Sequence, residues 1–156
     1  MTRTGASLVV VGFLTGISSP AALGQLQERS VEASVEEMVD QTFEYFRTQQ
    51  GAKFAEQYAS DLTACKDGRW IADTSTYLAQ FGQGVSQLHV HAFAWKRRQV
   101  YVLAPDAAVF VGEFTETISS GSSEQRTNAQ VAWTVLLKRI SGKWKIVHEH
   151  TSHVFL

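Results

Sequence analysis

The stretch RTNAQVAWTVLLKRISGKWKIVHEHTSH, residues 126–153, contains two β-strands joined by a turn at Ser141-Gly142. Side chains of a strand point alternately to the two faces of its sheet, and a sheet with one face in water alternates between apolar and polar residues. The first of these strands is apolar on both sides. One side carries Val131, Trp133, Val135 and Leu137, and the other carries Ala132, Thr134 and Leu136. We therefore expect both faces of this sheet to be buried.

Three helices are predicted in the N-terminal half of the chain. In the first, Ser34 and Glu37 form a capping box, and apolar residues then recur every three or four positions up to a stop signal at residues 49–51. The remaining predicted features of this half are a helix at residues 52–59, a two-residue hairpin turn at Asp67-Gly68, and a helix at residues 74–81 capped by Asp73.

Beyond Gly84 the pattern changes from helical to extended. Two strands are predicted at residues 86–97 and 99–114, the second interrupted at residues 104–106, ahead of the two strands quoted above. Helices followed by an antiparallel meander predict the α+β class. Three short helices can cover only one face of such a sheet. We therefore expect the outer face to be covered by a second copy of the chain, giving a homodimer.

The first 24 residues predict a secretory signal peptide. Arg3 supplies a positive charge, residues 6–17 form a short apolar run, and Ala22 and Gly24 are the small residues of a cleavage site after Gly24. The run is shorter than the ~18 apolar residues that a membrane-spanning helix needs, so no membrane partner is expected. The predicted location is periplasmic or secreted, and polar residues 25–33 are expected to form a flexible arm.

The composition excludes one class of partner and favours another. Lysine and arginine number 14 against 15 aspartates and glutamates, so the chain lacks the basic excess that nucleic-acid binding requires. Four tryptophans, four tyrosines and nine phenylalanines provide more aromatic volume than a small core usually needs, which suggests a pocket for a small apolar molecule. No cofactor is expected.

The segment GKWKIVHEHTS, from Gly142 to Ser152, resembles the last strand of the nuclear transport factor 2-like superfamily. It is most similar to the SnoaL-like branch and to the association domain of calcium/calmodulin-dependent protein kinase II. The resemblance covers residues 34–153 and predicts a SnoaL-like domain over residues 34–156. It implies a cystatin-like α+β roll, a cone in which a curved mixed sheet wraps around three helices. It also implies a deep pocket and dimerisation through the outer sheet face.

The resemblance leaves the activity open, because this superfamily includes isomerases, cyclases, transport factors and association domains. Two hypotheses stand. In the first, the chain is an exported pocket protein that binds a small apolar molecule, and isomerase-like or cyclase-like general acid–base activity on that molecule is left open. Alternatively, it is a non-catalytic association or carrier domain. The pocket carboxylate of the isomerase-like members falls in a region that contains Asp67, but a hairpin turn favours an exposed Asp67.

Six side chains combine a polar atom with a large apolar body on elements expected to border the pocket. These candidate ligand-binding residues are Tyr58, His91, Trp95, Trp133, His148 and His150. In a regular strand His148 and His150 share one face, and Glu149 lies on the other. We expect the histidines to face the pocket, because a charged Glu149 on a closed apolar wall would be costly without a partner.

Four of the histidines form two His-x-His pairs, at residues 89–91 and 148–150. Residues two apart on a strand face the same way, so each pair could present two imidazoles to a metal, with Glu113 or Glu116 as a further ligand. The strand order of the family places the two pairs far apart. We therefore expect no metal site, and expect the final pair to form hydrogen bonds with neighbouring groups.

Overall fold

The computed structural model describes residues 20–121 and 125–156, so the predicted signal peptide lies outside the described residues except for residues 20–24. The described residues form three helices and six strands. In chain order these are α1 (Pro20–Arg47), α2 (Gly51–Ala55), β1 (Tyr58–Lys66), β2 (Arg69–Ile71), α3 (Thr74–Val85), β3 (Leu88–Ala104), β4 (Ala107–Ser120), β5 (Thr127–Ile140) and β6 (Lys143–Phe155). No helix among them is long and apolar enough to cross a membrane.

The strands form one sheet in the order β2-β1-β6-β5-β4-β3. Strands β3 to β6 make the predicted antiparallel meander, and β1 adds to it in parallel with β6. The predicted α+β class and the mixed sheet packed around three helices are confirmed, and the sheet does not close on itself.

The core lies between the inner sheet face and the helices. Val35 and Val39 of α1 are fully buried against the sheet, as the helical spacing predicts. The inner face of the sheet contributes the fully buried Phe110, Val135, Leu137 and Ile146. The side chains on the outer face, including Thr134 and Leu136, are only half-buried. Within a single chain, the inner face of β5 is therefore buried and its outer face is only partly covered.

Helix α1 begins before the predicted capping box. Residues 25–33, predicted as a flexible arm, are helical. Val31 lies one turn before Val35 and is itself buried, so the core extends the helix toward its N-terminus. Ser34 is not a cap. Its hydroxyl donates to the carbonyl of Val31 at 2.8 Å and accepts from the Trp144 indole at 2.9 Å.

Several predicted boundaries also differ. Strand β3 continues through the expected break at Arg98, because this side chain pairs with Asp40 of α1 at 2.7 Å and keeps the charged segment on the sheet. The predicted interruption at residues 104–106 is confirmed, and it forms the turn between β3 and β4 at Pro105-Asp106. Helix α2 ends at Ala55, so Tyr58 opens β1. Helix α3 continues past Gly82 because this glycine lies against Gly51 of α2.

Two local predictions are confirmed. The Asp67-Gly68 pair forms the two-residue turn between β1 and β2, and both residues adopt positive φ angles of 49° and 75°. The carboxylate of Asp73 accepts a hydrogen bond from the backbone N–H of Thr76 at 3.0 Å, which caps α3.

Candidate functional site

A cavity of about 130 Å³ lies between the helices and the inner face of the sheet. Aromatic side chains form most of its wall. They are Phe43 and Phe46 of α1, Phe54 of α2, Tyr77 and Phe81 of α3, Tyr58 of β1, Phe114 of β4 and Trp133 of β5. The cavity thus has largely aromatic and aliphatic walls built from all three helices and five strands, and several polar groups are set into them.

The first polar group is the carboxylate of Glu149 on β6, which is 2% exposed. Tyr58 donates to its Oε2 atom at 2.6 Å. Tyr77 and Thr151 donate to its Oε1 atom at 3.2 and 3.1 Å. Three hydroxyl donors therefore satisfy both oxygens, which removes most of the penalty of placing a carboxylate in an apolar wall.

The two tyrosines of this cluster are held protonated. Burial raises the pKa of Tyr58 well above its usual value, and the nearby negative charge of Glu149 raises it further. The same two causes, in the same order, raise the pKa of Tyr77. Both phenols therefore act as hydrogen-bond donors to Glu149 rather than as bases.

A β-bulge explains why Glu149 faces the pocket. Leu137 pairs with Ile146 and Leu136 pairs with His148, so Val147 has no partner on β5. The extra residue shifts the alternation by one position. Ile146 and Glu149 therefore both lie on the inner face. The inward orientation predicted for His148 and His150 is wrong, since it assumed a regular strand.

The second polar group is the carboxylate of Glu116 on β4, which is 8% exposed and borders the cavity. It shares the inner face of the strand with Phe110 and Phe114. Within the described part of the chain, no hydrogen bond or ion pair involves Glu116. Burial raises the pKa of Glu116, an effect that the charges of His153 and Lys66 partly oppose.

The rim of the pocket is charged. The Lys66 ammonium lies 5.6 Å from the centroid of the Phe81 ring. His153 donates its backbone N–H to Asp67 at 2.8 Å, and its Nδ1 lies 2.9 Å from the same carboxylate oxygen. Desolvation acts to raise the pKa of Asp67, but the hydrogen bonds from His153 and the charges of His153 and Lys66 lower it. Asp67 is thus an exposed, paired turn residue.

Of the six predicted residues, the pocket brings together Tyr58 and Trp133. Trp95 is half-buried and packs edge-on against Phe43, beside the pocket wall rather than in it. The three histidines lie elsewhere. His91 contacts the Ser119 hydroxyl at 2.9 Å, His148 contacts the Thr63 hydroxyl at 2.8 Å, and His150 is exposed on the outer face.

Sequence reasoning missed Glu116, Glu149 and Tyr77. The sequence places Glu149 on the outer face because two of its donors, Tyr58 and Tyr77, lie far away along the chain. The third donor, Thr151, is two residues away, but the sequence does not show the bulge that turns both residues inward. Glu116 appeared only as a possible metal ligand. Among residues 20–121 and 125–156, no three histidine, cysteine or carboxylate side chains converge on one point.

Comparisons with known proteins agree with this architecture. A crystal structure of a ketosteroid isomerase-like protein from Erwinia carotovora atroseptica aligns with a TM-score of 0.65 at 16% identity, covering 78% of this chain and 95% of that chain. A protein from Exiguobacterium sibiricum, described as a calcium/calmodulin-dependent kinase II association domain, aligns with a TM-score of 0.65 at 15% identity, covering 78% and 92%.

A hexachlorocyclohexane dehydrochlorinase from Novosphingobium barchaimii aligns with a TM-score of 0.66 at 13% identity, covering 85% of this chain and 92% of that chain. At these identities the likeness shows the fold alone. No curated protein matches the chain significantly. The family model of the SnoaL-like domain matches residues 35–156, which includes every described strand, helices α2 and α3, and the C-terminal part of α1. The chain therefore belongs to the SnoaL-like domain family and has its nuclear transport factor 2-like fold.

Proposed function

We propose that this protein binds a small, largely apolar ring molecule in the aromatic pocket, and that Glu116 transfers protons to or from the bound molecule. The observation that carries this proposal is the carboxylate of Glu116 on the wall of the cavity: the residue is only 8% exposed, its oxygens remain partly accessible, and it has no partner among the described residues. Leaving such a group unpaired is costly, and perturbed ionisable groups in pockets are typical of functional sites.

The volume of the cavity restricts the ligand. Pockets for drug-sized molecules commonly measure ~300–1,000 Å³, whereas an apolar cavity of ~150 Å³ accommodates benzene. At about 130 Å³, this cavity suits a single ring better than a fused ring system. Burial raises the pKa of Glu116 toward neutral pH. Proton exchange with a ligand is most effective when the pKa of the exchanging group lies near the working pH.

Ligand binding can be tested with cyclohexanol as the probe and amide NMR spectra of the whole protein as the readout. We expect shifts to concentrate around Phe54, Phe114 and Trp133. Replacing the half-buried Ile118 with Trp at the pocket wall should abolish them, whereas Ile140→Trp outside the pocket should not. Shifts that are absent, or equal in both variants, would contradict the proposal.

A second candidate function is supported by the outer face of the sheet. Three apolar side chains there are strongly exposed: Tyr101 by 50%, Val111 by 40% and Val154 by 62%. In the strand pairing, Tyr101 of β3 lies opposite Val109 of β4, and Val109 lies opposite Leu136 of β5. The apolar patch therefore continues across these three strands. We propose that a second copy of the chain covers this patch, and that homo-oligomerisation is the function if the pocket proves inert.

We further propose that the protein is exported to the periplasm or secreted. The support is the charged start, apolar run and small residues of the first 24 positions. Cleavage after Gly24 would leave Gln25 at the start of a helix that still contains the buried Val31. N-terminal sequencing of the protein recovered from the periplasm of a bacterial host should give a start near Gln25. A retained Met1 there would overturn this proposal.

A further inference from the structure

We propose that the pocket selects a small cyclic amine, a ring that carries a positively charged nitrogen, with Glu116 as its counterion. This inference rests on the proposed function of the pocket and names the chemical class of its ligand. It follows from which hydrogen-bonding groups of the pocket are already paired, from the nature of the walls, and from the balance of charge.

The hydroxyl protons of the pocket are already engaged. Tyr58, Tyr77 and Thr151 each donate to Glu149, and Thr42 donates to the carbonyl of Met38 at 2.8 Å. A hydroxyl has a single proton to donate, so none of these four groups has a donor left for a ligand. Among the hydroxyl and carboxyl groups of the lining, the unused capacity is therefore of the acceptor kind, on the two oxygens of Glu116, and the indole N–H of Trp133 is a remaining donor.

The aromatic walls favour the same ligand class. Phenylalanine, tyrosine and tryptophan rings attract cations through the negative potential of their faces. The protein already shows this interaction, because the Lys66 ammonium lies 5.6 Å from the centroid of Phe81 at the pocket rim. A protonated nitrogen placed beside Glu116 would lie among similar rings, including Phe114 on the same strand face.

The positive charge of Lys66 would favour an anionic ligand, but the difference in burial between Lys66 and Glu116 favours a cation. Lys66 is partly exposed, whereas Glu116 is 8% exposed and has no partner among the described residues. Pairing Glu116 relieves a larger desolvation penalty than pairing Lys66 does. The lining contains two carboxylates, Glu116 and Glu149, against the ammonium of Lys66 and the imidazole of His153, which is already paired with Asp67. A bound cation reduces this negative excess.

Three ring probes of similar size test the inference: cyclohexylamine, cyclohexanol and cyclohexanecarboxylate, titrated into the whole protein at pH 7.5 and followed by amide NMR. A hydrogen bond to an ionic partner is about twice as strong as a neutral one, so we expect cyclohexylamine to bind about tenfold more tightly than cyclohexanol. We expect cyclohexanecarboxylate to bind more weakly than either.

Matched variants identify the group responsible. Glu116→Gln should remove the preference for the amine over cyclohexanol, because it keeps the shape and removes the charge. Glu113→Gln, on the outer face of the same strand, should leave the preference unchanged. Lys66→Gln should strengthen amine binding, since it removes a repelling charge from the rim.

The outcomes separate the two proposals. If cyclohexanol binds in the pocket but cyclohexylamine binds no more tightly, or if cyclohexanecarboxylate binds most tightly, the amine inference is overturned and the pocket function stands. If the preference survives in Glu116→Gln, Glu116 is not the counterion and the inference fails. If none of the three probes binds to a folded protein, the proposed function fails with it.

Discussion

At the scale of single residues, the hydrogen bond from Tyr58 to Glu149 can be tested directly by mutation. Among the residues that the structure describes, Tyr58 is the sole donor to Oε2, whereas Tyr77 and Thr151 both donate to Oε1. Tyr58→Phe should destabilise the protein by ~1.5–3 kcal/mol, because it leaves one oxygen of a buried carboxylate unpaired. Tyr77→Phe should cost less. Urea unfolding of both variants measures the difference, and a larger cost for Tyr77→Phe would contradict this assignment.

A second residue, Glu116, should make stability depend on pH. Burial raises its pKa in the folded state, so the folded protein holds this proton more tightly than the unfolded chain does. The stabilisation from this difference is complete below the unfolded pKa and is lost as pH rises through the folded pKa. At pH 8 Glu116→Gln should therefore have a higher Tm than the wild type, and the gap should close toward pH 4.5.

Thermal unfolding of the two proteins across that range measures the effect. Glu113→Gln is the matched control, because Glu113 is on the outer face beside Lys96 and Arg97. A gap between the wild type and Glu116→Gln that does not change with pH would show that charge burial at Glu116 is not its source.

At the scale of elements, the packing of α2 against α3 holds the pocket side chains Phe54, Tyr77 and Phe81 in place. A Cβ atom added at Gly51 would overlap the carbonyl oxygen of Gly82, whereas one added at Gly84 meets nothing within 4 Å. Gly51→Ala should therefore destabilise the protein by ~1–3 kcal/mol through overpacking. Gly84→Ala should stabilise it by ~0.4–1 kcal/mol. The denaturant midpoints of the two variants measure these changes in stability. Similar effects at the two glycines would contradict the close approach of Gly51 to the carbonyl oxygen of Gly82.

At the scale of the whole molecule, the proposed homodimer can be tested at the outer face of the sheet. Leu136 lies in the middle of the patch that contains Val109 and Tyr101. Leu136→Lys would place an unpaired charge in the proposed interface, at a cost of roughly 3–5 kcal/mol if a second copy covers it. Light scattering should then show monomer or aggregate. Gln41→Lys, on the exposed surface of α1, should leave the proposed dimer intact, and an unchanged dimer in both variants would contradict an interface at the outer face.

The sequence by itself determined the order and type of most elements. The helical spacing of Val35 and Val39, the Asp67-Gly68 turn and the Asp73 cap are set by residues within a few positions of one another. Local chemistry of this kind can be read without knowing the fold. The strand resemblance in residues 142–152 then supplied the family, which the match over residues 35–156 confirms.

Only the tertiary structure decided which groups face the pocket. The bulge at Val147 arises from pairing between β5 and β6, and it turns Glu149 inward where a regular strand would turn His148. The donors that make this burial tolerable come from β1 and α3, far along the chain at Tyr58 and Tyr77. Of the three donors only Thr151 lies near Glu149 in the sequence. The energy of burying a charge depends on every group around it, so the position of this carboxylate could not be predicted from its sequence neighbours alone.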